Sequence, residues 1–232
     1  MKFLAQTING EIVHDFVFQL KEAVAYQIWW KQDSNAASIV YTELSELRRF
    51  DNTYIPVGTV EFVTKYLQQH WNKIPKPINV PLKLMAPEFS KRRIVNGTEK
   101  DIWGKCFVKS NNAIKEFTEI TNTAPQGNYQ ISEKIRIDSE YRCFVYNNKL
   151  VGLQNYDGDF TMFPDILLIK EMIRQYSLDC PPAYTLDVGI NKEGTFVIEV
   201  HDFFSCGLYG FADNRIYAQM LYDWFKWYVG QK

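Results

Sequence analysis

Two carboxylates in the C-terminal third of the chain are placed where they could hold a metal ion. Asp187 and Glu199 lie in two alternating apolar segments joined by a turn around Gly194, a pattern that predicts a β-hairpin. If the turn is a three-residue loop, Asn191 pairs with Thr195 and the carboxylates face each other, whereas a two- or four-residue loop sends them to opposite faces. Like charges directly opposite destabilise a sheet. A divalent cation between them is one explanation, and a solvated face is the other.

Three cationic side chains stand where they could bind phosphate. Lys109 ends an apolar strand segment, Lys115 follows it near a helix start, and Arg142 opens another strand. Lysine and arginine both bind phosphate groups. The alternative for Lys115 is an ordinary surface lysine, and the alternative for Arg142 is a salt bridge to Glu133 or Glu140. The residues alone leave these alternatives open.

Further candidate ligands follow the second strand of the predicted hairpin. His201 and Asp202 lead into a glycine-bearing turn that ends at Gly210. A substrate or a third metal ligand could be bound there, although a lone histidine is more often a hydrogen-bonded structural residue. The basic cluster at residues 91–93 is either solvated or contacts an anion.

The composition is that of a folded protein and disfavours several functional classes. The chain has 232 residues, of which 46% are hydrophobic and 16% aromatic, so it can bury a core. Its 26 basic and 27 acidic residues make nucleic acid an unlikely main partner. No apolar run reaches the length of a membrane span, and the N-terminus becomes polar too early for a signal peptide. The four cysteines are widely spaced, so we expect reduced thiols in a cytoplasmic protein and no zinc site.

The elements that must position these residues alternate along the chain. A hairpin is predicted over residues 2–13, turning at Asn9-Gly10. A proline-punctuated crossing at 74–81 predicts the boundary between an N-terminal α/β lobe, residues 1–80, and the remainder, residues 81–232. The order of elements predicts an α+β fold with mainly antiparallel sheets. Helices are predicted at 15–30, 59–71, 111–120, 166–176 and 215–229, and strands at 38–41, 103–109, 129–135, 140–146 and 149–155.

Together these features resemble the ATP-grasp superfamily, specifically its compact clade named for one arginine and two lysines. The resemblance implies the ATP-grasp fold, in which two α+β subdomains clasp ATP. It covers residues from about 54 to 211. It depends on the order of Phe-Val-Lys109, Lys115-x-Phe117, Ser-Glu133, Glu140-Tyr-Arg142, Leu-Asp187-Val, Val-Ile-Glu199-Val-His-Asp202 and Gly-Leu-Tyr-Gly210.

The resemblance implies a set of phosphate and metal contacts. Lys109 and Lys115 would hold the α- and β-phosphates of ATP. Arg142 would face the γ-phosphate or an acyl-phosphate. Asp187 and Glu199 would hold Mg²⁺.

The base and the sugar would be bound elsewhere in the same site. By resemblance, Glu133 and the backbone of Lys134 and Ile135 would meet adenine. Glu140 would meet the ribose hydroxyls.

The sequence departs from the family pattern at two places. The third metal position in the family is normally an asparagine two residues after the glutamate, and here it is His201. Imidazole is a poorer Mg²⁺ ligand than an oxygen donor. Asp202 or water could complete the metal shell instead, or metal binding could be weakened. The segment 110–128 also lacks the glycine-rich lid common in the wider superfamily.

The resemblance implies an ATP- and Mg²⁺-dependent ligase that joins a carboxylate to an amine or thiol through an acyl-phosphate. Small molecules and peptides are both possible substrates, and the sequence predicts no oligomeric state. Two alternatives stay open. One is a non-catalytic module that binds a nucleotide or a protein, and the other is a phosphotransferase.

Overall fold

The computed structural model describes residues 1–112 and 117–231 of the chain. Short 3₁₀ helices occur at Leu44–Arg49, Leu82–Leu84 and Glu99–Asp101. The strands and α-helices, in chain order, are β1 (Lys2–Gln6), α1 (Asp15–Lys31), β2 (Ser38–Thr42), β3 (Ile55–Val57), α2 (Val60–Trp71), α3 (Pro87–Ser90), β4 (Ile94–Thr98), β5 (Cys106–Ser110), β6 (Thr118–Thr121), β7 (Asn128–Glu133), β8 (Ser139–Tyr146), β9 (Lys149–Gly158), α4 (Ile166–Tyr176), β10 (Ala183–Asn191), β11 (Gly194–Asp202) and α5 (Tyr217–Gly230).

The chain divides into two compact units. The second unit comprises Lys76–Cys180 and Tyr184–Asp202, and the first comprises Met1–Pro75, Pro181–Ala183 and the chain from Phe203 onward. The sequence placed a boundary at residue 80, close to the observed division, but assigned every later residue to the second domain. The C-terminal segment groups with the first unit instead because helix α5 packs against α1 and β3.

The first unit is built on a parallel sheet with the strand order β2-β1-β3. Strand β1 pairs with both neighbours, and its residues 3–5 are fully buried. A central strand of a parallel sheet is covered on both faces, which accounts for this continuous apolar run. The hairpin predicted over residues 2–13 is therefore wrong, although the predicted turn exists at Asn9-Gly10.

Helices complete the first unit. The Thr59 hydroxyl accepts a hydrogen bond from the N–H of Phe62 (3.3 Å), so Thr59 caps α2 as a helix N-terminus requires. Trp71 at the end of α2 meets Phe225 of α5 edge-on, with ring centroids 5.4 Å apart. Within residues 1–112 and 117–231, no helix has the length and apolar character needed to cross a membrane.

An antiparallel sheet with the strand order β4-β7-β5-β6 forms one part of the second unit. In β5, Cys106 and Val108 pack into an apolar core with residues of β7. Successive side chains of a strand point to opposite faces, so Phe107 and Lys109 lie on the other face.

Strand β6 replaces part of a predicted helix. The sequence predicted a helix over 111–120, whereas Thr118–Thr121 pairs with β5 as an edge strand. Its Thr-Glu-Ile-Thr sequence is rich in β-branched residues, which favour a pleated surface. Residues 113–116 of that predicted helix lie outside the described residues.

A second antiparallel sheet, with the strand order β11-β10-β8-β9, forms the other part of the second unit. One face is apolar, where Ile169 and Met172 of α4 pack with Cys143 of β8. The alternate residues of β8, which include Glu140 and Arg142, therefore lie on the opposite face.

Strands β10 and β11 form the predicted hairpin, and Asp187 lies opposite Glu199. The turn is shorter than predicted, because Asn191 pairs with Gly194 and the loop has two residues instead of three. A two-residue loop alone would send the carboxylates to opposite faces. A β-bulge at Ile198 adds one residue to β11 and restores the pairing.

A substitution at Gly189 tests how closely the side chains of this hairpin pack. A Cβ atom at Gly189 would lie 2.5 Å from Cζ of Phe196, which is fully buried. We expect Gly189→Ala to lower the free energy of unfolding by about 1–3 kcal/mol because the strand must shift. Chemical denaturation measures this loss. The control is Gly230→Ala at the end of α5, where a Cβ would meet nothing within 4 Å, and equal losses in both variants would contradict the packing.

Candidate functional site

A cavity of about 450 Å³ lies between the two sheets of the second unit. Phe107, Lys109 and Gln130 line it from the β4-β7-β5-β6 sheet, and Tyr156 and Glu199 line it from the other sheet. The strand alternation described above turns these side chains away from the two apolar cores. The cavity therefore combines apolar walls with a few charged groups, as small-molecule sites do.

The segment that joins the two sheets forms one edge of this cavity. Glu133, Lys134, Ile135 and Ile137 all line it. The Glu133 carboxylate accepts a hydrogen bond from the backbone N–H of Arg93 (2.8 Å). This contact fixes the end of β7 at the cavity.

A buried ion pair lies at the centre of the β11-β10-β8-β9 sheet. Arg142 donates from Nε to Oδ1 of Asp187 (2.8 Å) and from Nη2 to Oδ2 (2.7 Å). Arg142 is 8% exposed and Asp187 is 1% exposed. Such two-point contacts fix both position and orientation. The sequence offered Glu133 or Glu140 as the salt-bridge partner of Arg142, and the structure shows Asp187 in that role.

A second ion pair joins the two sheets. The Lys109 ammonium donates a hydrogen bond to Oε2 of Glu199, and both side chains are largely shielded from solvent. Lys109 therefore faces the carboxylate pair instead of bulk water, in agreement with a cleft position. Both carboxylates of the hairpin thus lie beside a cation.

His201 completes a cluster of three potential metal ligands. Its Nε2 atom lies 2.6 Å from Oε1 of Glu199 and 3.9 Å from Oδ2 of Asp187. One ligand atom from each of the three residues lies within 4.8 Å of the others. Two of these donors are the carboxylate oxygens that Mg²⁺ prefers, and the third is an imidazole nitrogen, which it does not.

Asp202 is not part of this cluster. Glu199 and His201 are two positions apart on β11 and share a face, so Asp202 falls on the other side of the strand. On that side, burial raises the pKa of Tyr176 in α4, and the Asp202 charge raises it further. Of the two alternatives for the third ligand, the structure brings His201 and not Asp202 to the carboxylates.

Glu140 lies at the rim of the cavity and is held by Tyr156. The Tyr156 hydroxyl donates a hydrogen bond to Oε2 of Glu140 (2.5 Å). Its ring lies beside the Arg142 guanidinium, with 5.6 Å between the carbon of that group and the ring centroid. Burial, followed by the charge of Asp187, raises the pKa of Tyr156, which stays a neutral donor.

Arg92 supports the bulge that positions Glu199. Its Nη1 atom donates to the carbonyl oxygens of Val197 (2.7 Å) and Ser90 (3.0 Å). Its Nη2 atom donates to the carbonyl oxygen of Ile198 (3.4 Å). A bulge disrupts the ladder hydrogen bonds, so these carbonyls need another donor. Burial lowers the pKa of Arg92 to about 10. The sequence offered a solvated or an anion-binding role for residues 91–93. The structure buries the Arg92 guanidinium against backbone carbonyls and also places Arg92 in the lining of the cavity.

Lys115, the second predicted phosphate-binding lysine, lies outside the described residues. The structure places Lys109, Glu133, Lys134, Ile135, Glu140 and Glu199 around one cavity. Asp187 and His201 lie beside Glu199, and Arg142 pairs with Asp187. Sequence reasoning assigned no role to Phe107 or Tyr156, and it did not predict the contacts of Arg92 with the bulge. The alternation of β5 could have identified Phe107, whose neighbours in the strand point to the core.

The sequence of residues 55–221 matches the family model described as "ATP-grasp domain, R2K clade family 3". This match covers more than half of the chain. The chain belongs to the R2K clade of ATP-grasp proteins. No curated protein matches the sequence.

Solved structures agree with the ATP-grasp assignment of the fold. D-alanine–D-alanine ligase from Bacillus anthracis is 12% identical, with a TM-score of 0.54 over 99% of this chain and 97% of that one. A RimK domain ATP-grasp protein from Sphaerobacter thermophilus DSM 20745 is 13% identical, with a TM-score of 0.53 over 97% of this chain and 99% of that one. At such identities the similarity establishes the fold alone, which is the predicted α+β ATP-grasp fold.

The buried ion pair of this ATP-grasp chain is testable by a double-mutant cycle. We expect Arg142→Met to lower the free energy of unfolding by about 3–5 kcal/mol because it leaves Asp187 buried beside no guanidinium. The double variant Arg142→Met/Asp187→Leu should recover most of this loss. Chemical denaturation of the wild type, Arg142→Met, Asp187→Leu and the double variant gives the coupling energy.

A surface ion pair serves as the control for this cycle. Arg174 pairs with Glu171 on exposed turns of α4, so Arg174→Met should change the midpoint of unfolding little. If the double variant is no more stable than Arg142→Met, the coupling between the two buried groups is refuted.

Proposed function

We propose that this ATP-grasp chain binds ATP in the cavity between its two sheets and uses it to join a carboxylate to an amine or thiol. The observation that carries the proposal is the convergence of Lys109, Arg142, Asp187 and Glu199 beside an apolar cavity. Phosphoryl transfer needs positive charge around the phosphates and a metal-binding pair of carboxylates. A flat aromatic base needs an apolar slot. The cavity provides both the charged groups and the apolar surface.

The base and the sugar are assigned to the edge of the cavity formed by the joining segment. Adenine would lie among Phe107, Ile135 and Ile198, with the backbone of Lys134 and Ile135 and the Glu133 carboxylate available for polar contacts. Glu140 would accept hydrogen bonds from the ribose hydroxyls. Tyr156 would keep that carboxylate oriented, since it already donates to Oε2.

The phosphates are assigned to the charged end of the cavity. Lys109 would neutralise the α- and β-phosphates together with Lys115, the second lysine of the family pattern. Arg142 would face the γ-phosphate while Asp187 holds its guanidinium in one orientation. Asp187, Glu199 and His201 would hold a divalent cation, which when bound neutralises charge on the phosphoryl oxygens.

The proposed reaction proceeds in two displacements. A carboxylate oxygen attacks the γ-phosphorus, the new O–P bond forms as the bond to the bridging oxygen breaks, and ADP leaves. An amine or thiol then attacks the acyl carbon, the carbon–oxygen bond breaks to release inorganic phosphate, and the proton lost by the nucleophile passes to that phosphate. Lys109 and Arg142 would stabilise the charge that develops on the phosphoryl oxygens in both steps.

A second candidate function is nucleotide binding without turnover. His201 favours it, because an imidazole in the ligand cluster weakens the site for Mg²⁺.

The four cysteines are free thiols, which is consistent with a reducing compartment such as the cytoplasm. Small-molecule and peptide substrates both stay within the proposal.

The ligase proposal predicts ADP release that depends on both a carboxylate and an acceptor. Purified full-length protein, ATP and a divalent cation should be incubated with pools of amino acids and peptides while ADP and phosphate are measured. A positive pool should give a product whose mass equals that of the two substrates minus water. Release of AMP and pyrophosphate would contradict the mechanism. Nucleotide binding without ADP release from any pool would favour the second candidate.

The variant Lys109→Met tests the phosphate assignment, and Lys170→Met is its control. Removing the Lys109 ammonium should weaken ATP binding about tenfold or more, since a charge-assisted contact to phosphate is lost. Lys170 is exposed on α4 and should not affect affinity when replaced. Calorimetry measures both. Equal affinities in the two variants would remove Lys109 from the phosphate site.

A further inference from the structure

We propose that the metal site of this chain is selective for Mn²⁺ over Mg²⁺, with the Nε2 atom of His201 as a direct ligand. The inference rests on the proposed nucleotide-binding function, because it concerns the cation that accompanies ATP in that site.

The separations within the cluster support direct ligation by His201. Two ligands about 2.1 Å from one octahedral ion lie about 3 Å apart when adjacent and about 4 Å apart when opposite. His201 Nε2 lies 2.6 Å from Glu199 Oε1 and 3.9 Å from Asp187 Oδ2. The 2.6 Å separation is a hydrogen-bond distance, and an ion that took the place of the shared proton would widen it to about 3 Å. His201 is also the least buried of the three, with 22% of its side chain exposed.

The chemistry of the three donors favours Mn²⁺. Mg²⁺ requires a regular shell of oxygen ligands, and an imidazole nitrogen is a poor replacement for one of them. Mn²⁺ shares the preference for carboxylate, phosphate and water oxygens, but unlike Mg²⁺ it belongs to the first-row transition series, at the end of that series with the lowest affinity for mixed nitrogen and oxygen sites. Two carboxylates and one imidazole therefore match Mn²⁺ better than Mg²⁺.

The carboxylates of the cluster are also contacted by cations. Arg142 donates to both oxygens of Asp187, and Lys109 donates to Oε2 of Glu199. An ionised carboxylate offers about four acceptor positions, so a contact to a cation does not by itself exclude a bond to a metal. The Glu199 oxygen nearest to His201 is Oε1, whereas Lys109 holds Oε2.

Electron paramagnetic resonance of Mn²⁺ tests the inference on the tag-free full-length chain. Protein should be titrated with Mn²⁺ in the presence and absence of ADP, and spin-echo modulation from a coordinated ¹⁴N nucleus should be recorded. We expect bound Mn²⁺ to show this modulation in the wild type and to lose it in His201→Asn. Competition should show that Mg²⁺ displaces Mn²⁺ about tenfold more readily from the variant.

His70→Asn is the matched control. His70 lies in helix α2 of the first unit, against Tyr66, and its replacement should leave both the modulation and the competition unchanged. Bound Mn²⁺ with no nitrogen modulation, or the same modulation in His201→Asn, would overturn the inference. So would an absence of Mn²⁺ binding with and without ADP.

The outcomes separate this inference from the proposed function. If ADP binds equally well with Mg²⁺ and Mn²⁺ in both wild type and His201→Asn, the nucleotide site stands and the metal selectivity is refuted. If Mn²⁺ shows nitrogen ligation that depends on His201 but no nucleotide binds, the metal assignment stands and the proposed function fails.

Discussion

The buried ion pair between Arg142 and Asp187 is the interaction on which the candidate site depends. A charged group taken out of water costs several kcal/mol unless an opposite charge and hydrogen bonds compensate for it, so neither residue tolerates the loss of the other. Their two-point contact connects the middle of β8 to the middle of β10, which are neighbouring strands. It also sets Asp187 in one orientation, and Glu199 and His201 approach Asp187 in turn.

A backbone irregularity then decides where Glu199 lies. The two-residue turn of the hairpin would place Glu199 on the wrong face, and the bulge at Ile198 corrects this by one residue. Arg92 donates to the carbonyl oxygens around the bulge, so its guanidinium stabilises backbone that the ladder leaves without partners. Lys109 reaches Glu199 from the other sheet. The contacts of Arg92 and Lys109 therefore determine both the position of Glu199 and the positive charge around it.

Much of this arrangement could be predicted from the sequence, and the misses have physical causes. The long periodic helices and the hairpin strands were predicted because their apolar pattern directly reports burial. The pairing of Asp187 with Glu199 was correct, although it was argued from a three-residue loop, since no local pattern reveals a compensating bulge. The prediction of an N-terminal hairpin was wrong because β1 pairs with β2 and β3, which are distant from it in the sequence. Asp187 as the partner of Arg142 and the bracing role of Arg92 were missed for the same reason.

The central claim is that the cavity beside this charge cluster is a metal-dependent nucleotide site. Calorimetric titration of the purified chain with ATP, with and without a divalent cation, tests it most directly. The account predicts saturable binding at one site per chain that requires Mg²⁺ or Mn²⁺. Absence of binding with either cation, or binding of the same strength without any cation, would contradict it.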